Sequence, residues 1–428
     1  MPLSLRAVVK NAGWLSLIQV LNYAIPALTL PVVTRAFGPN IYGILAVLNA
    51  FATYVGVLTS YGFNIVGPRA IIASRECTIA LSKTVSAFIT AQFVIGVFAT
   101  SLFCAGVSFG PFDQELQLVA SVVAIQAATT SLAPQWVFIG LERMRHFALV
   151  QLIARGVASA LILILIRYPD DLLLYVSINC IAAVSIFILS LIALHRYGIH
   201  WYTPAIGAVW SVVAQASRLF FSTASISLYT TTNVIIVAFI VGPVGAGAFA
   251  LADRVRVVAG TLIAPLTDAF YPFVCRIAGR RETHQEGWVK RFVFRSVIIL
   301  ATMISLALFA FAPFIIWLVG GNSFEESVPV LRILAFLPFI IALSNTFGKQ
   351  TMLPLRMDRE YTWVVFYAAM LAPISAFVFT WLLGLTGAAL TLLLVEIYVT
   401  VSFAIVVHQR IDILSLFFRR QSAFRLRG

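Results

Sequence analysis

Six charged residues fall well inside stretches that are otherwise apolar: Arg155, Asp253, Arg254, Arg256, Asp268 and Glu396. A charge at the centre of a membrane-spanning helix costs about 2.5–3.5 kcal/mol on insertion scales, so such residues face a cavity or a partner rather than lipid. Arg155 lies too deep in its stretch for its head group to reach the interface easily, and a fixed cation there suits an anionic group. A structural pair with Glu396 is the plainer alternative. Glu396 is surrounded by Leu and Val, which suits a proton-coupling site or, almost equally, a single buried and hydrogen-bonded carboxyl. Asp253 and Arg256 are i,i+3 neighbours and can neutralise one another. On a continuous helix Arg254 and Asp268 fall within about 40° of each other, which predicts a polar stripe down one face.

Other chemistry finds no residues to carry it. His146, His195, His200, His284 and His408 have no metal-ligand spacing, and no glycine-rich phosphate loop is present. Cys77, Cys104, Cys180 and Cys275 are scattered without a C-x-x-C, so neither a disulfide framework nor a zinc site is indicated, and buried core thiols are expected. The reading is of a chain that is not an enzyme, with no metal and no cofactor.

The elements that position these charges follow from composition. Of 428 residues, 61% are hydrophobic and 11% charged, with a mean hydropathy of +0.99. Ordinary soluble domains are about 45–50% apolar and about 25% charged, so a water-soluble enzyme is excluded. Apolar stretches bounded by charge, Gly or Pro predict twelve spans: 12–33, 43–66, 85–107, 116–139, 146–166, 172–194, 212–241, 246–275, 292–319, 328–348, 361–383 and 386–407. The first begins after Arg6 and Lys10, as a secretory signal would, but its length and Pro26 and Pro31 favour a retained helix.

Almost every Lys and Arg outside the spans falls in alternate loops, and the remaining loops hold only Arg35, Arg167 and Arg332 against six acids. The positive-inside rule then places both termini in the cytoplasm. Orientation thus absorbs the net charge of +13, which needs no nucleic acid. Arg419, Arg420, Arg425 and Arg427 in the tail can also touch anionic membrane lipids.

An internal repeat is visible. Gly38-Pro39, followed by Gly43, Ala46 and Asn49, recurs as Gly242-Pro243, Gly247, Ala250 and Asp253, 204 residues on (242 − 38). Leu141-Glu142-Arg143-Met144 is echoed by Pro354-Leu355-Arg356-Met357, with Arg143 set against Arg356. Two related six-helix lobes are predicted, 1–200 and 201–428, in the same orientation because each holds an even number of spans. Pro26, Pro31, Pro265 and Pro338 are expected to kink their helices. Gln19, Asn22, Asn64, Gln126, Gln135, Tyr229, Asn233 and Asn345 can line a polar path or bond between helices.

Several segments carry a family resemblance. Pro26-Ala-Leu-Thr-Leu-Pro-Val-Val-Thr-Arg35-Ala-Phe-Gly-Pro39 with Tyr42-Gly43 resembles the opening signature of the Wzx-type polysaccharide flippases, of the polysaccharide transport family. Tyr61-Gly62-Phe63-Asn64 before Arg69 is similar to that family's second-helix ending, although Gly67-Pro68 departs from its usual alcohol or small residue. Gln135-Trp136-Val-Phe-Ile-Gly140-Leu-Glu142-Arg143-Met144 resembles its fourth-helix motif, and Ser227-Leu-Tyr229-Thr-Thr-Thr-Asn233 its seventh.

The resemblance implies an all-α integral membrane protein of the superfamily that includes multidrug and toxin extruders (the MATE-like, or MOP, fold) and lipid II flippases, with two six-helix lobes around a central cavity. Its cargo would be an oligosaccharide repeat unit on a polyprenyl diphosphate, moved from the cytoplasmic to the periplasmic leaflet of the inner membrane for O-antigen, capsule or exopolysaccharide. Arg35, Arg69, Arg155, Arg254 and Arg256 are the candidate cations for the diphosphate, whose desolvation a cationic cavity would offset. Asp253, Asp268 and Glu396 are candidates for coupling to a proton or sodium ion. A polysaccharide polymerase and a chain-length regulator are the protein partners implied. The rivals are a multidrug exporter of the same superfamily, which would favour an acidic cavity, and a polymerase or glycosyltransferase, which would need a large external loop. A scaffolding role in a polysaccharide assembly complex is compatible with any of these.

Overall fold

The computed structural model describes residues 5–110, 112–277 and 284–410, and among these every regular element is helical. Contacts divide the chain into two compact units, Met1–Ser227 and Leu228–Gly428. The first unit holds α1 (Leu5–Ser60), α2 (Phe63–Ser74), α3 (Thr78–Ser108), α4 (Gln114–Leu132), α5 (Gln135–Gly140), α6 (Met144–Leu165) and α7 (Leu172–Arg196). Helix α8 (Ile206–Ile240) runs across the division. The second unit holds α9 (Pro243–Gly260), α10 (Ala264–Ile277), α11 (His284–Ala310), α12 (Ala312–Gly320), α13 (Ser327–Leu334), α14 (Leu337–Phe347), a π-turn at Gly348–Met352 and α15 (Asp358–Arg410).

Where the sequence predicts twelve spans, eight helices among the described residues are long and apolar enough to cross a bilayer, or nine if a bent pair in α8 is one span. Two of them, Ile25–Ser74 and Asp358–Gln409, contain 50 and 52 residues. At 1.5 Å per residue each is about 75 Å long, enough for two crossings of a hydrocarbon core about 30 Å thick. Glycines leave helical geometry inside both: Gly38 (φ 65°, ψ 177°) and Gly384 (φ 62°, ψ −137°). Only 22% of the apolar window in α6 is buried inside the protein. Most of its Leu and Ile therefore face outward, as lipid requires and water would not tolerate. The protein is a multi-pass membrane protein.

Apolar burial drives little association between helices in lipid, so close packing and small residues must hold the helices of each unit together. In the first unit α2 and α5 interlock. A Cβ on Gly67 would stand 2.5 Å from the Trp136 ring, and one on Gly140 2.6 Å from Ile71. The Gly67-Pro68 departure thus makes room for a fully buried tryptophan. Phe88 bridges Phe63 and Trp136 with ring centroids 5.4 and 5.0 Å away, and the Trp136 indole donates to Gln92 Oε1 at 3.3 Å. In the second unit Phe347, Met352, Val399 and Phe403 form the matching core where α14 and α15 meet.

The internal repeat is present in the backbone. Gly242 (φ 99°, ψ 176°) repeats the conformation of Gly38, and each is followed by a proline in the first turn of the next helical segment. The second echo shifts by one residue. Glu142 and Arg356 are both left-handed at φ 58°. Arg143 N–H bonds Phe138 O at 2.9 Å, as Met357 N–H bonds Met352 O at 3.0 Å, and Glu142 N–H to Ile139 O matches Arg356 N–H to Leu353 O, both 3.0 Å. Glu142 therefore corresponds to Arg356, 214 residues on (356 − 142), and Arg143 to Met357.

Pro338 does not kink a helix. The chain breaks before it, and Pro338 enters the first turn of α14, where its missing N–H costs nothing. The cysteines are not core thiols either: Cys77 and Cys275 are exposed, and Cys104 and Cys180 are half-buried.

Candidate functional site

The second unit gathers most of the intramembrane charge. Pro243 starts α9 after the Gly242 turn, and Asp253, Arg254 and Arg256 follow in its later turns. Arg256 Nε and Nη2 both donate to Asp253 Oδ1, at 2.8 and 2.7 Å. The side chains are only 17% and 25% exposed, so the anticipated i,i+3 neutralisation is present and is shielded from bulk solvent. Arg254, half-buried one residue away, has no hydrogen-bond or ion-pair partner among the described residues.

Helix α15 packs against α9 and α13, and this brings Glu396 within electrostatic reach of Arg256. Tyr361, earlier in α15, is in turn within reach of Glu396. Thr400 ties this region down by donating to Glu396 O at 2.7 Å and to Ile340 O of α14 at 3.3 Å. Among the described residues, Arg256 thus answers to two carboxylates and Arg254 to none. Tyr361 was not legible as a member of this group; its only sequence signal is a hydroxyl-bearing ring at the start of an apolar stretch.

The continuous helix on which the Arg254–Asp268 stripe depends is not present. The chain leaves α-geometry between α9 and α10, where Leu262 N–H bonds Ala259 O and Ile263 N–H bonds Gly260 O, three residues back. Tighter turns of this kind rotate the later residues out of the phase that a continuous helix would give. The side chain of Asp268 lies outside the described part, as do those of Gln19, Asn22 and Tyr229.

The first unit contributes Arg155, half-buried on α6 and without an ion-pair partner among the described residues of its unit. The charged neighbour of Glu396 is Arg256, in its own unit. Arg35 on α1 and Arg69 on α2 are exposed. At the far end of α2, Arg75 pairs with Glu142 at 3.5 Å. Arg143 lies 4.2 Å over the Tyr197 ring, and the Tyr197 hydroxyl is hydrogen-bonded to His146 Nδ1 at 2.6 Å. These contacts latch the ends of α2, α6 and α7, and sequence spacing gives no sign of them. Of the polar-path candidates, Asn233 is buried with Nδ2 unpartnered, and Asn64 is exposed.

The fold is similar to that of solved membrane transporters. The lipid II flippase MurJ in an inward closed conformation superposes with a TM-score of 0.72 at 12% identity, covering 96% of this chain and 89% of that one. An outward-facing multidrug resistance MATE family transporter gives 0.60 at 14% identity, covering 92% and 94%. The chain belongs to the family described as polysaccharide biosynthesis protein, which matches residues 8–278. It is 28% identical over 401 residues to the Escherichia coli (strain K12) protein named "Putative O-antigen transporter", across 93% of this chain and 95% of the relative. A Shigella dysenteriae protein of the same name is 23% identical over 396 residues, across 91% and 97%. These relatives carry the name of a transporter, not of an enzyme.

Proposed function

We propose that this protein is a flippase that moves a polyprenyl-diphosphate-linked oligosaccharide repeat unit from the cytoplasmic to the periplasmic leaflet of the inner membrane, for O-antigen, capsule or exopolysaccharide synthesis. The observation that carries the reading is that two half-buried arginines, Arg155 on α6 and Arg254 on α9, have no ion-pair partner among the described residues. Leaving a cation unneutralised there is costly, and a ligand with negative charge removes the cost. A diphosphate supplies that charge and cannot cross hydrocarbon unaided.

Arg155 in the first unit and Arg254 in the second would each meet the diphosphate during its passage, with Arg35 and Arg69 meeting it nearer the membrane faces. Arg256 joins this set when Asp253 releases it. Asp253 and Glu396, with Asp268, are the carboxylates available to a coupling proton or sodium ion. Protonation or cation binding at Asp253 or Glu396 weakens the hold on Arg256, which links ion occupancy to anion affinity. The distribution of Lys and Arg supports a cytoplasmic side for both termini. A polymerase and a chain-length regulator would take the product.

The test is deletion of the gene in its host with complementation by wild type, Arg155→Ala and Arg254→Ala. Lipid-linked repeat units should accumulate in the cytoplasmic leaflet while surface polymer disappears, and neither variant should restore it at normal expression. Single repeat units at the surface would instead indicate a polymerase. Unchanged polysaccharide with reduced drug tolerance would indicate a multidrug exporter.

A further inference from the structure

The two helix ends related by the repeat are built alike and charged oppositely. Each ends in the same motif, with the final N–H groups reaching back five and three residues and one left-handed residue at φ 58°. Glycine takes that position at least cost. Here it is Glu142 in the first unit and Arg356 in the second. Glu142 has a use for its side chain, the 3.5 Å pair with Arg75. Arg356 is exposed and has no partner among the described residues.

The surrounding charges are mixed in both units, and exposed Arg145 of the first stands at the register position of Arg359. Lys349, in the π-turn, and Arg359, in the first turn of α15, are also exposed. Asp358 acts on Tyr271 of α10, and Glu360 is half-buried. The first unit places uncharged Gln135 where the second has Lys349, 214 residues on (349 − 135). So the left-handed residue that is held in an ion pair in one unit is, in the other, an arginine that joins Arg359 and Lys349 without an ion-pair partner among the described residues. A pair of arginines with a lysine is a setting for phosphate oxygens, which a guanidinium meets two at a time.

We propose that the turn at Arg356, with Arg359 and Lys349, binds a phosphate-bearing lipid headgroup at the membrane surface. The proposal rests on the chain's place in a bilayer and not on what it transports. The ligand chemistry is a phosphate ester, whether of a membrane phospholipid or of a polyprenyl diphosphate.

The experiment uses the full chain, purified and held in phosphatidylcholine nanodiscs, with Arg356→Gly, Arg356→Glu and Glu142→Gly. Binding of phosphatidylglycerol, polyprenyl diphosphate and inorganic diphosphate is titrated separately, and the melting temperature is recorded for each variant. Glycine relieves the left-handed position, so Arg356→Gly should melt no lower than wild type while binding at least one lipid probe fivefold or more weakly. Arg356→Glu should bind weaker still, and Glu142→Gly should bind as wild type does. Weakening for phosphatidylglycerol alone assigns the site to membrane phospholipid, and weakening for polyprenyl diphosphate alone assigns it to the lipid carrier. Unchanged binding of both lipids by Arg356→Gly, weakening confined to inorganic diphosphate, an equal loss in Glu142→Gly, or a lower melting temperature in Arg356→Gly would overturn the proposal.

Discussion

Set side by side, the Gly38 and Gly242 turns show a duplicated backbone carrying different charges. Counting forward from each glycine, Asp253, Arg254 and Arg256 of the second unit correspond to Asn49, Ala50 and Ala52 of the first. Ala50 and Ala52 are buried in ordinary apolar packing. The asymmetry also runs the other way: the 214-residue register that relates Glu142 to Arg356 sets Arg155 of the first unit against Ala369 of the second, which is fully buried. Glycine persists in both copies because the chain cannot make the turn without it. The charges appear once each, where a backbone need cannot explain them, and that is the ground for assigning them to a ligand.

This comparison can be broken most severely at the shared turns. Both glycines occupy a region of positive φ with ψ near 180°, open almost only to glycine, and neither would bring a new Cβ into contact with a neighbour. Gly38→Ala and Gly242→Ala should therefore each destabilise through the backbone alone, by about 1–3 kcal/mol. A thermal midpoint in detergent that falls for one and not the other would mean that the two turns are not equivalent. Gly67→Ala should cost a comparable or slightly smaller amount, about 1–3 kcal/mol from overpacking against the buried Trp136 ring. Its effect should be relieved by a smaller residue at 136, measured as a double-mutant cycle.

Asp253→Asn tests the charges instead of the turns. It removes the anion that holds Arg256, and transport should fall several-fold, whereas Asn49→Ala at the matching position should change transport less than twofold. Equal losses from the two would argue that this register serves packing only. The smallest effect is expected at Glu142→Ala. The Arg75 and Glu142 side chains are 46% and 35% exposed, and an exposed pair contributes about 0–1 kcal/mol. A loss well above that would show that the pair, not the left-handed turn, holds this corner.

How far the sequence could be read varies with how local the cause is. The apolar stretches, the Gly-Pro turns and the Asp253–Arg256 pair depend on residues within one or two turns of each other, and they were legible. The projection that sets Arg254 and Asp268 on one stripe holds only while the backbone stays helical, and residues 261–263 do not. The second repeat shows in the sequence one residue out of register, because the identical Arg-Met letters are not equivalent positions and the shared feature is a left-handed backbone held by carbonyls three and five residues back. The approach of Tyr361 to Glu396, and of Arg143 to Tyr197, depends on how helices distant in sequence pack. No periodicity encodes such contacts.

The central claim is that Arg155 and Arg254 are the cations that carry a lipid diphosphate, while Arg256 is held in reserve by Asp253. It is tested most directly in proteoliposomes loaded on one leaflet with a polyprenyl-diphosphate-linked oligosaccharide, by the rate at which the oligosaccharide becomes accessible on the other. Arg155→Ala and Arg254→Ala should each slow the rate by tenfold or more, equivalent to about 1.4 kcal/mol, and Arg256→Ala by less. Wild-type rates in both Arg155→Ala and Arg254→Ala, in correctly folded protein, would contradict the account.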